Sequence, residues 1–231
     1  MKFLQPILQR RRFLARLGGG GTALVATVGG GAGILQSQSA TAARWQPERH
    51  KADDWLDTVP GTHRLMFDTT MPDGFGFALL YASNYFIANK DGYGLQDSEL
   101  AVVIVARHFS TPFAFNDAMW KKYGASISRL TGFTDPKTRQ APNTNLYNLP
   151  DYGLPNRSAT LDALIKRGVQ LAVCQMATRQ IAEPLAAAIG EDAESVFKEL
   201  TANLVANSHL VPAGIVAVNR AQEHGYAFVN A

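Results

Sequence analysis

The stretch Glu99-Leu-Ala-Val-Val-Ile-Val-Ala106 decides the fold class, because it is almost continuously aliphatic. A strand with one face in water alternates apolar and polar side chains, whereas a strand covered on both faces reads as an unbroken apolar run. The stretch therefore predicts a strand buried inside a sheet. A second run of the same kind, Val169-Gln-Leu-Ala-Val-Cys174, predicts another buried strand.

Outward from these two runs, strands and helices alternate along the chain. Shorter apolar runs predict further strands at residues 63–70, 209–211 and 226–229. Apolar residues at three- and four-residue spacing predict the helices, at 73–91, 116–123, 158–168, 177–189, 192–204 and 215–223. This alternation predicts a small doubly wound α/β domain, with a mostly parallel sheet and helices on both faces.

The first 42 residues resemble a twin-arginine export signal. The motif residues are Arg10, Arg11, Phe13 and Leu14. A weakly apolar, glycine-rich stretch follows, and Ala40 and Ala42 form a small-x-small cleavage site. The signal predicts export by the twin-arginine machinery to the periplasm or another exported location, with no stable membrane span after cleavage. The alternative is a retained anchor, for which the apolar stretch is close to the lower length limit.

The charge balance excludes a nucleic-acid-binding surface built on basic residues. The whole chain has 22 Lys and Arg against 19 Asp and Glu, a net charge of +3. Five of those basic residues and none of the acidic ones lie in residues 1–42, so the remaining chain has 17 against 19, about −2. A slightly acidic domain gives no electrostatic reason to bind nucleic acid.

The rest of the chain divides into three parts by composition. Residues 43–62 are polar and predict an N-terminal arm, and residues 63–231 have the length of one domain. Within that domain, residues 131–157 contain four prolines and predict a long loop. A loop of this length usually acts as a lid, a binding loop or an arm that reaches a neighbouring subunit.

The single cysteine, Cys174, excludes an internal disulfide. In an exported protein, a lone cysteine is a reactive or intermolecularly paired thiol, or else a small buried hydrophobe. Cys174 ends a predicted strand just before a predicted helix near Ala177. Backbone N–H groups and the helix dipole favour the thiolate at such a position.

Carboxyl ends of parallel strands meet at one edge of the sheet, where ligands bind in α/β folds. We therefore expect Cys174 and His108 to form a reactive pair there, with His108 as base or cation. We expect Arg107, Asp68 and Thr69 to bind the substrate. The alternatives remain open: His108 could cap a strand end, Arg107 could form a surface salt bridge, and Asp68 could stabilise a turn.

Residues 63–230 resemble the DsrE/DsrF-like family. The resemblance rests on Leu210-Val-Pro-Ala-Gly214, on His224-Gly-Tyr-Ala-Phe228, on the strand that runs into Cys174, and on Ala82-Ser83-Asn84-Tyr85 in the first helix. It implies a small doubly wound fold, a homo-oligomer, and a cysteine that carries sulfur in a relay with a donor or acceptor.

These observations support three functional hypotheses. The first is an exported DsrE/DsrF-like domain that handles sulfur as a persulfide on Cys174, without a cofactor. The second is a non-catalytic binding or assembly module in which this cysteine is structural. The third is a copper protein that uses Cys174, Met176 and His108, whose ligand types suit Cu(I). The copper hypothesis expects that the strand has already ended at this point, so that Cys174 and Met176 can reach one ion.

Overall fold

The computed structural model describes residues 46–231. The predicted export motif in residues 10–14 and the predicted cleavage site in residues 40–42 lie outside these residues. In the described part of the chain, no helix combines the length and the apolar character needed to cross a membrane.

Five parallel strands form one sheet in this part of the chain. They are β1 (His63–Thr69), β2 (Leu100–Ala106), β3 (Gln170–Cys174), β4 (Ser208–Val211) and β5 (Ala227–Asn230). Their order in space is β4-β3-β2-β1-β5, and every pairing is parallel. The first four strands therefore step across the sheet in one direction, and β5 returns to the other side of β1. This confirms the predicted small α/β fold.

Helices cover both faces, but unequally. They are α1 (Trp55–Thr58), α2 (Pro72–Tyr93), α3 (Asp117–Thr131), α4 (Leu161–Lys166), α5 (Gln175–Ile189), α6 (Ala193–Ala202) and α7 (Gly214–Glu223). Helices α2 to α6 pack on one face, which we call the helix-rich face. Helices α1 and α7 pack on the other, which we call the α7 face.

Side chains alternate between these two faces along each strand, as the pleat requires. In β2, Ile104 and Ala106 belong to the core of the helix-rich face, whereas Val103 and Val105 belong to the core of the α7 face. All seven residues of β2 are buried, which explains its continuous aliphatic sequence.

Two helix boundaries differ from the sequence prediction by more than two residues, the end of α3 and the start of α4. Helix α3 continues to Thr131 and ends at Gly132, whose φ of 73° is left-handed and suits glycine. The predicted end at residue 123 was too early, because Ile127 and Thr131 extend the buried side of the helix. Helix α4 is capped by Thr160, which accepts a hydrogen bond from Ala163 N–H at 3.3 Å. Ser158 instead bonds the carboxylate of Asp151.

The segment before β1 packs as part of the domain, and regular structure begins before His63. Leu56 and Val59 are buried in the core of the α7 face. The Tyr226 hydroxyl donates to the Leu56 carbonyl at 2.9 Å, and the Trp55 ring stacks on His209 with centroids 4.0 Å apart. This segment is needed because α7 alone does not cover that face.

The long loop is docked on the helix-rich face. Tyr147 is fully buried, and its hydroxyl donates to the Pro72 carbonyl at 2.6 Å. Gly76 makes this packing possible, since a Cβ there would lie 2.6 Å from the Tyr147 ring. At Gly124 a Cβ would overlap the carbonyl oxygen of Pro142. The absence of a side chain at these two glycines thus lets the loop pack closely against α2 and α3.

Candidate functional site

Three of the predicted site residues share one face at the carboxyl edge of the sheet. Asp68 is in β1, Arg107 directly follows β2, and Cys174 ends β3. Residues Met66, Val105 and Ala172, each two positions earlier, all belong to the core of the α7 face. Alternation therefore directs Asp68, Arg107 and Cys174 to that same side of three neighbouring strands.

Asp68 and Arg107 form a bidentate ion pair. Arg107 Nε lies 2.7 Å from Asp68 Oδ1, and Nη2 lies 2.8 Å from Oδ2. The Asp68 side chain is only 4% exposed, whereas that of Arg107 is 28% exposed. A buried carboxylate needs such a partner, because an unpaired charge in this environment is costly. The sequence left open that Arg107 forms a surface salt bridge. The structure shows an ion pair, but its carboxylate partner, Asp68, is buried.

Cys174 is the N-cap residue of α5. Its Sγ accepts a hydrogen bond from Ala177 N–H at 3.3 Å, and its carbonyl accepts from the Thr178 hydroxyl at 2.9 Å. The residue is 6% exposed. The start of a 15-residue helix supplies both N–H donors and the positive end of the dipole. The sulfur therefore accepts a backbone hydrogen bond at the positive end of a helix.

Arg107 adds a cation on the neighbouring strand. Its pKa is raised above the usual range, chiefly by the hydrogen bonds to Asp68 and also by the negative charges of Asp68 and of a Cys174 thiolate, while burial acts in the opposite direction. Gly214, the first residue of α7, packs against it: a Cβ at Gly214 would lie 2.5 Å from Arg107 Cβ. The first turn of α7 therefore holds the stem of Arg107 in place.

The position of Cys174 in the topology also favours binding. Strand β3 leads to α5 on the helix-rich face, whereas its neighbour β4 leads to α7 on the opposite face. Ligands of open α/β sheets bind in the crevice beyond two strands whose connections diverge in this way. Cys174 and Val211 are register partners at the carboxyl ends of these strands, so the thiol lies at that crevice.

Thr69 lies on the other side of the sheet. It is fully buried, and its hydroxyl bonds the Val105 carbonyl at 2.7 Å and Ser110 Oγ at 2.9 Å. Ser110 also bonds the backbone of Thr69 and Arg107. Together they join the end of β1 to the turn after β2. The sequence argument missed Ser110, and no local pattern marks it.

His108 follows β2 and lies near the first turn of α5. Its backbone is left-handed, with φ of 56°, and its ring packs on Phe109 with centroids 4.1 Å apart. It is exposed and lines a small cavity with Ala177 and Gln180. Within residues 46–231 there is no hydrogen bond between His108 and Cys174.

The described residues show no arrangement of Cys174, Met176 and His108 around a common metal position. Met176 lies in the first turn of α5 and is 59% exposed, while the thiol beside it caps the same helix. Across residues 46–231, no cluster of three or more His, Cys, Asp or Glu is arranged to hold a metal ion.

No family model matches the chain, and comparison with curated proteins and with solved structures also gave no match. The resemblance to the DsrE/DsrF-like family therefore stays a prediction from the residues quoted above.

Proposed function

We propose that this domain carries sulfur as a persulfide on Cys174. The observation that supports it best is the placement of Sγ at the start of α5, with Arg107 at the end of the neighbouring strand. The sulfur lies in the crevice beyond β3 and β4, the two strands whose outgoing connections run to opposite faces. Helix N–H groups and a nearby guanidinium both stabilise an anionic sulfur, which is the reactive form in sulfur transfer.

The proposed step is a thiol–persulfide exchange. The Cys174 thiolate attacks the terminal sulfur of a donor persulfide, R–S–SH. A new S–S bond forms on Cys174, the donor S–S bond breaks, and the donor leaves as the thiolate R–S⁻. No electrons are gained or lost overall and no cofactor is required. Return of the sulfur to an acceptor thiolate is the same exchange in reverse.

The setting of this step is part of the proposal. The twin-arginine motif supports export, and therefore a sulfur donor or acceptor outside the cytoplasm. Exposed apolar side chains around the crevice, Met176 and Ile215 among them, support contact with a protein partner or a second copy of this chain. A homo-oligomer is the form that we expect.

One observation favours the second hypothesis, a non-catalytic module. Cys174 is largely buried, and its sulfur already has a structural role as a helix cap. A buried cysteine in an apolar setting reacts slowly. The two hypotheses therefore make opposite predictions about access to this thiol in the folded protein.

The test uses the mature chain, incubated with glutathione persulfide and analysed by intact mass. The proposal predicts the added mass of one sulfur atom on the wild type and none on Cys174→Ser. Treatment with iodoacetamide under native conditions and in urea measures thiol access in the same sample. An unmodified thiol that reacts only in urea would reject sulfur carriage in favour of the structural role.

A further inference from the structure

A sizeable cavity in the described part of the chain lies away from Cys174, on the helix-rich face. Its volume is about 640 Å³, within the range of sites for small organic ligands. The start of α2, the end of α3 and the long loop form its walls. The lining residues that could contact a ligand include Pro72, Asp73, Phe133, Arg139, Leu154 and Pro155.

Two opposite charges line this otherwise uncharged cavity. Asp73 comes from the first turn of α2, and Arg139 comes from the loop. Neither side chain makes an ion pair or a hydrogen bond with another residue of the described chain. Phe133, Leu154 and Pro155 provide apolar surface between them. The cavity therefore offers one anionic and one cationic contact to the same ligand.

The turn that carries Arg139 is held in one conformation. Arg139 has a left-handed backbone with φ of 63°, and its N–H donates to the Asp135 carbonyl at 2.8 Å. The buried Asp135 carboxylate accepts from the N–H groups of Lys137 and Thr138 and from the Tyr152 hydroxyl. Burial raises the pKa of Asp135, but these hydrogen bonds outweigh that effect and hold its pKa below the usual value. The same bonds tie the turn to the carboxylate.

The wall opposite is equally fixed. The Tyr147 hydroxyl bonds the carbonyl of Pro72, which directly precedes Asp73. This hydrogen bond joins the loop to the start of α2 at Pro72, which lines the cavity. The backbone that carries both charged residues is held before a ligand binds, which lowers the entropic cost of binding. Both charged side chains are exposed and reach the cavity from its rim.

We propose that this cavity binds a small zwitterion of the size of a dipeptide, with its ammonium group at Asp73 and its carboxylate at Arg139. An apolar side chain of the ligand packs on Phe133 and Leu154. This site is independent of sulfur chemistry at Cys174, and it gives the long loop the role of a binding loop.

Calorimetry of the mature chain with leucyl-phenylalanine tests the proposal. Two derivatives remove one ligand charge each: the N-acetyl form lacks the ammonium group, and the C-terminal amide lacks the carboxylate. We expect each to bind at least about tenfold more weakly than the parent, which is the usual effect of losing one charged hydrogen-bond partner. Because the protein is unchanged, this comparison does not depend on the folding of any variant.

Protein variants give the reciprocal test. Arg139→Ala and Asp73→Asn should each weaken binding of the dipeptide by a similar factor. Arg157→Ala is the matched control, since Arg157 is an exposed arginine of the same loop, also with positive φ, that does not line the cavity. Cys174→Ser should bind as the wild type does, which separates this site from the sulfur proposal. Absence of dipeptide binding, or equal binding of all three ligands, overturns the proposal.

Discussion

The two faces of the sheet differ most at its carboxyl edge. On the α7 face, Asp68, Arg107 and Cys174 lie at the ends of neighbouring strands, and Asp68 and Arg107 form an ion pair. Their sequence neighbours Thr69 and His108 lie on the helix-rich face, where the first is buried in a hydroxyl network and the second is exposed. Two residues that follow neighbouring strands therefore meet at this edge only if their side chains lie on the same face of the sheet.

The faces also differ in how they are covered. The α7 face is closed by one helix and the segment before β1. The helix-rich face is closed by five helices and a loop that fits against two of them through glycines. Four changes test this contrast, beginning with the one of largest expected effect.

The first change is Gly124→Ala, which adds a methyl group where the loop meets α3. The new Cβ would overlap a backbone carbonyl, which can move only if the loop moves. We expect the free energy of unfolding to fall by about 3 kcal/mol or more. Urea denaturation measures it. Gly92→Ala is the control, because no atom lies within 4 Å of a Cβ there, and it should be neutral or stabilising by up to about 1 kcal/mol.

The second change is Asp68→Asn on the α7 face. It removes the buried half of an ion pair and leaves Arg107 without its partner, so we expect a loss of about 2 kcal/mol. The pair of Arg167 with Asp97 has the same bidentate geometry, at 2.7 and 2.8 Å, but Asp97 is 40% exposed. Asp97→Asn should therefore cost less than about 1 kcal/mol. Equal losses of stability in the two variants would contradict the idea that burial of the carboxylate sets the strength of these ion pairs.

The third change compares adjacent residues on opposite faces. Arg107→Gln removes the cation beside the thiol and should slow alkylation of Cys174 several-fold at neutral pH. His108→Ala should leave that rate nearly unchanged, since His108 makes no hydrogen bond to the thiol within the described chain. Rates are measured with iodoacetamide on folded protein, with urea-unfolded samples as reference. A slower rate in the His108 variant alone would support the predicted Cys174–His108 pair instead.

The fourth change is a decrease in pH. It tests the contact between His209 and Trp55, which lies in the segment that covers part of the α7 face. Burial lowers the pKa of His209, which stacks on Trp55, below its usual value of 6.5. The unfolded chain therefore binds more protons than the folded one just below pH 6.5, so stability falls as pH decreases through that region. We expect a lower urea midpoint at pH 5 than at pH 7.5. His209→Phe keeps a stacking ring but cannot titrate, and should reduce this difference.

Much of the fold follows from sequence patterns. The aliphatic run in residues 99–106 predicted the central strand, and the other strands also lie where apolar runs placed them. Helix ends were less predictable: α3 runs eight residues beyond its predicted end, because tertiary packing buries Ile127 on a helix that also carries many polar residues. The segment before β1 looked like an arm because its few apolar residues are isolated in sequence, although Leu56 is fully buried.

The sequence by itself determined that this protein has a parallel α/β sheet with Cys174 at a strand end, since burial on both faces and the start of a helix leave local patterns. Only the tertiary structure decided which groups surround that thiol. The ion pair between Asp68 and Arg107, the hydroxyl network around Thr69, and the cavity lined by Asp73 and Arg139 all depend on strand register and on loop docking. These contacts join residues far apart in the chain, so no local pattern could specify them.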